Sequence, residues 1–157
     1  MRKLRLVWIG KTQIPYVKSG INIYLKKISN YVKVNSLEIK SSQYGSFEKD
    51  RCRKQETIKM LKNMNPGEIN IFLDEKGKRE TSIGFSHWFE KQLQIGKNQI
   101  NFFVGGAYGI DKSLLPKGVH ILSLSDMTFT HQMVRLILLE QIYRAFTIIR
   151  GEPYHHI

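Results

Sequence analysis

The chain has 157 residues, 41% of them hydrophobic, which is enough for one globular domain with a core of its own. Its 25 lysines and arginines outnumber the 13 acidic residues and give a net charge of +12. An excess of this size favours a polyanionic partner, RNA or DNA ahead of a membrane surface. The single cysteine, Cys52, excludes a disulfide framework and a thiolate metal cluster, and its charged neighbours predict an exposed thiol.

No apolar run approaches the roughly 20 residues of a membrane span, and the apolar run near the N-terminus is too short for a signal peptide. The sequence therefore predicts a cytoplasmic protein made of a single domain over residues 1–157, with no membrane partner.

The first half of the chain predicts two strands and two helices. Residues 4–9 form an apolar strand that ends at Gly10, and Pro15 suits the first turn of a helix with a single apolar stripe. Residues 31–39 predict a second strand. The polar, basic stretch 41–63 predicts a loop followed by an exposed helix, with Phe47 among its few apolar anchors.

The second half continues the alternation of strands and helices. A turn at Pro66 leads to a strand over 69–73, and Thr81 or Ser82 can cap the helix that follows. Two more strands are predicted, over 100–104 and 119–124. Such alternation is typical of an α/β fold with a parallel sheet.

The final predicted helix, over residues 131–150, has apolar side chains pointing in almost every direction. A helix of this kind must be covered all round, so we expect one side to lie on the sheet and the other against a second protein chain. Its polar side chains form two i,i+4 pairs on roughly opposite sides: His131 with Arg135, and Glu140 with Arg144.

Ligands of parallel sheets bind beyond the carboxyl ends of the strands, which directs attention to Leu73-Asp74, to 105–109 and to 123–130. Gly105-Gly106-x-x-Gly109 has neither the spacing of the dinucleotide fingerprint nor the Lys of a Walker loop. From the residues alone it is equally a plain turn. The hydroxyl-rich stretch 123–130 is equally a set of helix caps or a grip for a small cofactor.

The histidines predict a proton acceptor in preference to a metal site. His131 stands at a helix N-terminus, where the helix dipole disfavours the protonated imidazole. The spacing of His131, His155 and His156 matches no standard zinc pattern, so no metal is expected.

Four segments together resemble the RlmH family, the bacterial methyltransferases of the SPOUT class that act on pseudouridine N3 in large-subunit ribosomal RNA. Residues 103–109 read Phe-Val-Gly-Gly-Ala-Tyr-Gly, and 122–135 read Leu-Ser-Leu-Ser-x-Met-Thr-Phe-x-His-Gln-Met-x-Arg. Residues 140–145 read Glu-Gln-x-Tyr-Arg-Ala, and 150–155 read Arg-Gly-Glu-x-Tyr-His. The resemblance covers essentially the whole chain, with small departures at Ala107 and at Thr130, where the family often has proline.

The resemblance implies an α/β-knot (SPOUT) fold with a C-terminal trefoil knot, a homodimer, and S-adenosyl-L-methionine bound in the knot. His131 and Arg135 share one face of the final helix beside the expected cofactor loop, so we expect both to face that site, where they accept the proton and stabilise charge. The resemblance implies that Arg144, Tyr154 and His155 meet the ribosomal RNA or complete the pocket. The cofactor residues it implies are Leu73, Gly105, Gly106, Ser125, Asp126, Met127, Thr128, Phe129 and Thr130.

The expected reaction is methylation of a pseudouridine on the assembled ribosome. Two alternatives remain open: a non-catalytic basic RNA-binding protein associated with the ribosome, and a SPOUT methyltransferase that acts on transfer RNA. Glu140 also has a purely structural interpretation, as an ion pair with Arg144 at the subunit interface.

Overall fold

The computed structural model describes residues 2–43 and 45–156, and these form a parallel sheet of five strands. In chain order the strands are Lys3–Ile9 (β1), Lys33–Ile39 (β2), Ile69–Arg79 (β3), Gln99–Val104 (β4) and His120–Ser123 (β5). The sheet order is β2-β1-β4-β3-β5, and each neighbouring pair is parallel. The predicted parallel α/β class is confirmed.

Helices cover both faces of the sheet, unequally. They are Pro15–Ile28 (α1), Lys49–Lys62 (α2), Ser82–Gln94 (α3) and His131–Arg150 (α4). Helices α1, α3 and α4 share one core cluster with β-strand residues such as Leu6 and Phe102, whereas α2 packs on the other face against Val7 and Phe103. Successive side chains of a strand point to opposite faces of the sheet, so neighbouring residues belong to different core clusters.

The middle segment differs from its prediction at two residues. Cys52 is 4% exposed, and its neighbours one and two turns on, Glu56 and Met60, are buried as well. The prediction of an exposed thiol is wrong because the side of α2 that carries these three residues faces the sheet. This side has so few apolar residues that the sequence shows no clear helical periodicity of hydrophobic side chains. Phe47 was predicted to be an anchor, but it is fully exposed (101%) in the 3-10 turn Ser46–Glu48.

Strand β3 is longer than predicted because it contains an irregularity. Leu122 of β5 pairs first with Leu73 and again with Lys78, so residues 74–77 leave the ladder. The carboxylate of Asp74 accepts a hydrogen bond from the backbone N of Lys76 at 2.8 Å, which holds this excursion as a tight turn. An acidic turn is thereby placed at the carboxyl edge of the sheet.

Helix α4 begins and ends at its predicted residues. Thr130 caps its N-terminus by accepting a hydrogen bond from Met133 N, and Gly151 ends it in the left-handed conformation with φ of 67°. The helix packs on α1 and α3 and is at least partly buried along its length up to Arg150. No helix within 2–43 and 45–156 is long and apolar enough to cross a membrane.

The start of α4 lies against the loop that follows β1. The side-chain oxygen of Gln132 accepts hydrogen bonds from the backbone N atoms of Gln13 and Ile14, both at 3.0 Å. Because β5 is at the edge of the sheet, the chain crosses the ends of β3 and β4 to reach this position.

Candidate functional site

A cavity of about 410 Å³ lies at the carboxyl ends of β3, β4 and β5. This volume is within the usual range of small-molecule sites. Seven of the nine predicted cofactor residues line it: Leu73, Gly105, Gly106, Ser125, Met127, Thr128 and Phe129. The sheet therefore brings together three loops that are far apart in the sequence, as the strand-end rule anticipates.

The other two predicted cofactor residues point elsewhere. The carboxylate of Asp126 pairs with Arg79 Nε at 2.6 Å on the surface. Thr130 serves as the N-cap of α4. Neither is among the residues that line the cavity, and their predicted contact with a cofactor remains a prediction.

The glycines of the cavity permit an unusually close approach of backbone. Gly109 N donates to Gly106 O at 3.0 Å, so residues 106–109 do form a turn. A Cβ on Gly105 would come within 2.9 Å of the backbone C and O of Gly109. A Cβ on Gly106 would lie 2.7 Å from a carboxylate oxygen of Glu56. Side chains at these positions would displace the wall of the cavity.

Several lining residues are not among the nine predicted cofactor residues. The excursion of β3 contributes Asp74, Glu75 and Lys76, and Glu75 accepts a hydrogen bond from the hydroxyl of Thr128 at 3.1 Å. Arg53 of α2 and Tyr108 also line the cavity. Asp74 and Tyr108 lie in strand-end segments that the sequence predicts to hold a ligand, but no local signal indicated Arg53.

His131 lines the cavity at the start of α4. Burial, and secondarily the charge of Arg135, holds the pKa of His131 below its ordinary value of 6.5. The imidazole is therefore neutral at pH 7 and can accept a proton, as the helix-terminus argument anticipated.

Arg135 is fully buried and does not line the cavity. Its guanidinium donates to the backbone oxygens of Ile9 and Gly10 and to the hydroxyl of Thr12, and it lies 5.3 Å from the centre of the Trp8 ring. The expectation that Arg135 faces the cavity beside His131 is wrong, since the strand-end carbonyls draw its side chain beneath the loop. The geometry gives it a positioning role between α4 and β1.

A second cluster of polar side chains lies at the far end of α4. Arg144 Nη2 pairs with Glu140 at 2.5 Å, and Arg144 Nη1 is 3.1 Å from His155 Nδ1. The hydroxyl of Tyr154 donates to the same Glu140 oxygen at 3.0 Å, and its ring centre is 4.8 Å from the Arg144 guanidinium. The structure thus brings together three of the predicted catalytic residues, and the Glu140–Arg144 pair is confirmed as an ion pair.

The tail that carries Tyr154 and His155 is held by a hydrogen bond from the Tyr31 hydroxyl to the carboxylate of Glu152. Burial, reinforced by this bond, raises the pKa of Tyr31 to about 12. Burial and bonds to Tyr24 and Glu140 raise the pKa of Tyr154. Both phenols therefore stay protonated at neutral pH.

The cavity and the cluster of Glu140, Arg144, Tyr154 and His155 (hereafter the C-terminal cluster) are separate within one protomer. None of these four residues lines the cavity in the described part of the chain. His131 and Arg144 are 13 positions apart on one helix, which corresponds to roughly 20 Å along its axis. A site that uses both groups needs a second protomer.

A parallel α/β sheet with a glycine-walled cavity at its carboxyl edge is typical of domains that bind small molecules. Comparison with known families defines the class of this protein. A family described as predicted SPOUT methyltransferase matches residues 2–155. The chain belongs to this family of SPOUT methyltransferases, and within it to the RlmH family that its motifs resemble.

Relatives of named function match along nearly their whole length. Ribosomal RNA large subunit methyltransferase H of Trichlorobacter lovleyi is 40% identical over 154 residues, which is 98% of this chain and 99% of the relative. The proteins of the same name from Acetivibrio thermocellus and Halothermothrix orenii are also 40% identical, with the same coverage of both chains.

Proposed function

We propose that this protein transfers a methyl group from S-adenosyl-L-methionine to N3 of a pseudouridine in large-subunit ribosomal RNA. The observation that carries the proposal is the cavity itself: two of the family motifs and the end of the first run of β3 meet in it. The chain matches ribosomal RNA methyltransferases along nearly its whole length. The net charge of +12 supports an RNA substrate.

The residues of the cavity fit such a cofactor. Apolar side chains, among them Leu73, Met127 and Phe129, offer walls for an adenine ring, while the backbone exposed at Gly105 and Gly106 offers hydrogen-bonding groups at close range. Carboxylates at the β3 excursion suit the ribose hydroxyls or a sulfonium charge. When bound, S-adenosyl-L-methionine supplies an activated methyl group and its own leaving group.

The protein's own task is to align the acceptor nitrogen and to manage its proton. An imide nitrogen must lose its proton to attack well, and the neutral imidazole of His131 is suited to accept it. Arg144, with Tyr154 and His155 around it, offers a cation for the developing anion and an aromatic surface for an unstacked base. Arg135 acts indirectly by fixing α4 against β1.

The proposed active unit is a homodimer in which the C-terminal cluster of one protomer completes the cavity of the other. The separation of the two sites within a protomer supports this arrangement, as does the partly exposed apolar surface left on α4 at residues such as Ile137 and Leu136.

We also propose that the C-terminal segment forms the trefoil knot of the SPOUT class. The path of the chain from edge strand β5 back to the loop after β1, fixed by Gln132 and Arg135, supports a threaded crossing. A crystal structure in which residues 120–156 pass through no closed loop of backbone would exclude the knot.

The decisive experiment measures cofactor binding and methyl transfer separately. Isothermal titration with S-adenosyl-L-methionine should give saturable binding, and a labelled methyl group should appear at one pseudouridine when unmodified ribosomes are the substrate. Binding without transfer to ribosomes but with transfer to transfer RNA would favour the transfer RNA alternative. Absence of binding by folded protein would favour a non-catalytic RNA-binding role.

A further inference from the structure

We propose that Phe47, Lys49, Lys54 and Tyr108 form a contact surface for single-stranded RNA beside the cavity, hereafter the α2 surface. The proposal rests on the proposed function and adds to it the site where the strand next to the target base is held. The proposed function leaves Phe47, Lys49 and Lys54 without a role.

Two exposed aromatic rings, those of Tyr108 and Phe47, lie near the start of α2 and the cavity. Tyr108 lines the cavity and is 37% exposed, and Lys49 Nζ lies 5.9 Å from the centre of its ring. Phe47 stands two residues before Lys49 with its side chain wholly in solvent. Because the Phe47 ring makes no packing contact that stacking would break, it is free to stack on a base. Every base has a face on which it can stack.

The charges on this surface suit a phosphate backbone. Lys49 and Lys54 are exposed and form no ion pair in the described part of the chain, whereas Arg53 pairs with Asp50 and lines the cavity. Cations interleaved with isolated aromatic rings are typical of single-strand binding, whereas a protein partner would favour a continuous apolar patch. We therefore assign the surface to RNA.

The turns of α2 that follow Lys49 support the cavity. Glu56 is buried behind Gly106 and accepts a hydrogen bond from Ser42 N at 3.0 Å, and the hydroxyl of Thr57 accepts one from Asp111 N at 2.9 Å. RNA seated on the α2 surface is thereby held in fixed register with the glycine wall. The strand next to the target base can then guide that base into the cavity.

The first test compares Phe47→Ala and the double variant Lys49→Gln/Lys54→Gln with wild type, using the full chain and unmodified ribosomes. Matched controls are Ile95→Ala, another exposed apolar residue, and Lys91→Gln/Lys97→Gln, both exposed. We expect a rise of roughly 5- to 30-fold in the KM for ribosomes with Phe47→Ala, because an exposed stacking group is lost. The kcat and the affinity for S-adenosyl-L-methionine should stay near wild type.

The salt dependence gives an independent readout for the two lysines. Each lost phosphate contact lowers the slope of log K against log salt by about 0.7 for single strands, so the double variant should show a slope smaller by roughly 1.4. If the α2 variants keep the KM and the salt slope of their controls, the α2 surface is not a contact for RNA.

A photo-crosslinking benzoylphenylalanine at position 47 identifies the partner directly. We expect an adduct with ribosomal RNA, and an adduct with a ribosomal protein alone would overturn the assignment. Direct binding of ribosomes by the variants separates the two proposals. If the wild-type protein binds ribosomes but transfers no methyl group, the proposed function is contradicted. If the wild type and the α2 variants bind ribosomes equally well, only the α2 surface is contradicted.

Discussion

At the scale of single residues, the glycines after β4 connect backbone packing to cofactor binding. We expect Gly105→Ala to weaken the binding of S-adenosyl-L-methionine by about tenfold or more, roughly 1.4 kcal/mol. The reason is that its Cβ would lie 2.9 Å from backbone atoms of Gly109, which cannot rotate away as a side chain can. Isothermal titration measures the effect.

Gly45→Ala is the matched control for this substitution. Gly45 has φ of −63° and a Cβ there meets nothing within 4 Å, so cofactor affinity should not change. Equal affinity of both variants for the methyl donor would mean that the glycine wall does not contact it.

The lowered pKa of His131 predicts how the rate of methyl transfer depends on pH. Because its pKa is depressed below 6.5, the imidazole is neutral at pH 7 and its contribution to the rate should be lost only as the pH falls below about 6.5. His131→Gln should reduce single-turnover methyl transfer by roughly 100-fold and remove this inflection from the pH profile.

His156→Gln, at an exposed position of the tail, is the control and should keep the wild-type profile. If His131→Gln retains the low-pH inflection, another group accepts the proton.

Substitution of the buried Arg135 tests whether its guanidinium stabilises the fold or takes part in methyl transfer. Replacement by Met leaves the oxygens of Ile9, Gly10 and Thr12 without their donor, so Arg135→Met should lower the free energy of unfolding by about 3 kcal/mol. Urea unfolding measures this loss, and Arg150→Met, at the exposed end of α4, is the control. A variant of unchanged stability that fails only in methyl transfer would restore Arg135 to a catalytic role.

At the scale of elements, the C-terminal tail depends for its position on α1 and on the turn between α1 and β2. Tyr31 stacks on Phe146 with ring centres 5.1 Å apart and donates its hydroxyl to Glu152. Tyr31→Phe keeps the stacking and removes a charge-assisted bond of about 1.5–3 kcal/mol, so the tail should be docked roughly 10- to 100-fold less favourably.

We expect Tyr31→Phe to lower kcat and to speed hydrogen exchange in residues 151–156, while the affinity for S-adenosyl-L-methionine stays unchanged. Tyr16→Phe on the exposed face of α1 should change neither quantity. A Tyr31→Phe variant with wild-type kcat would show that Glu152 is not needed to place Tyr154 and His155.

The elements show where sequence reasoning succeeds and where it fails. Helix α4 has the ends that the apolar run over 131–150 predicts, and Thr130 and Gly151 are the caps that the structure shows there. The burial of Cys52 was missed because α2 presents a polar stripe to the sheet, and only tertiary contact reveals that. The cavity loops follow from the strand-end rule, whereas Arg53 and the inward turn of Arg135 depend on distances between segments far apart in the chain. Such distances have no local signature.

At the scale of the whole molecule, the two groups of functional residues lie at opposite ends of α4, with His131 in the cavity and Arg144 in the C-terminal cluster. A twofold dimer that crosses two copies of this helix would bring the start of one near the end of the other. In the proposed dimer, the use of one helix for both tasks would tie activity to assembly, since an isolated protomer would hold the methyl donor without the groups that receive the base.

A dimer built from two different variants tests this composite site. One protomer carries Gly105→Val in the cavity and the other carries Arg144→Ala in the C-terminal cluster, and two affinity tags isolate the mixed dimer. If the site is shared, one of its two copies contains only wild-type residues, so the mixed dimer should recover about half of the wild-type rate, whereas each variant homodimer stays inactive. The matched control places both substitutions in one protomer and pairs it with a wild-type protomer. That dimer should be inactive if the site is shared and about half active if each protomer works alone, so the reverse pattern of rates would exclude the composite site.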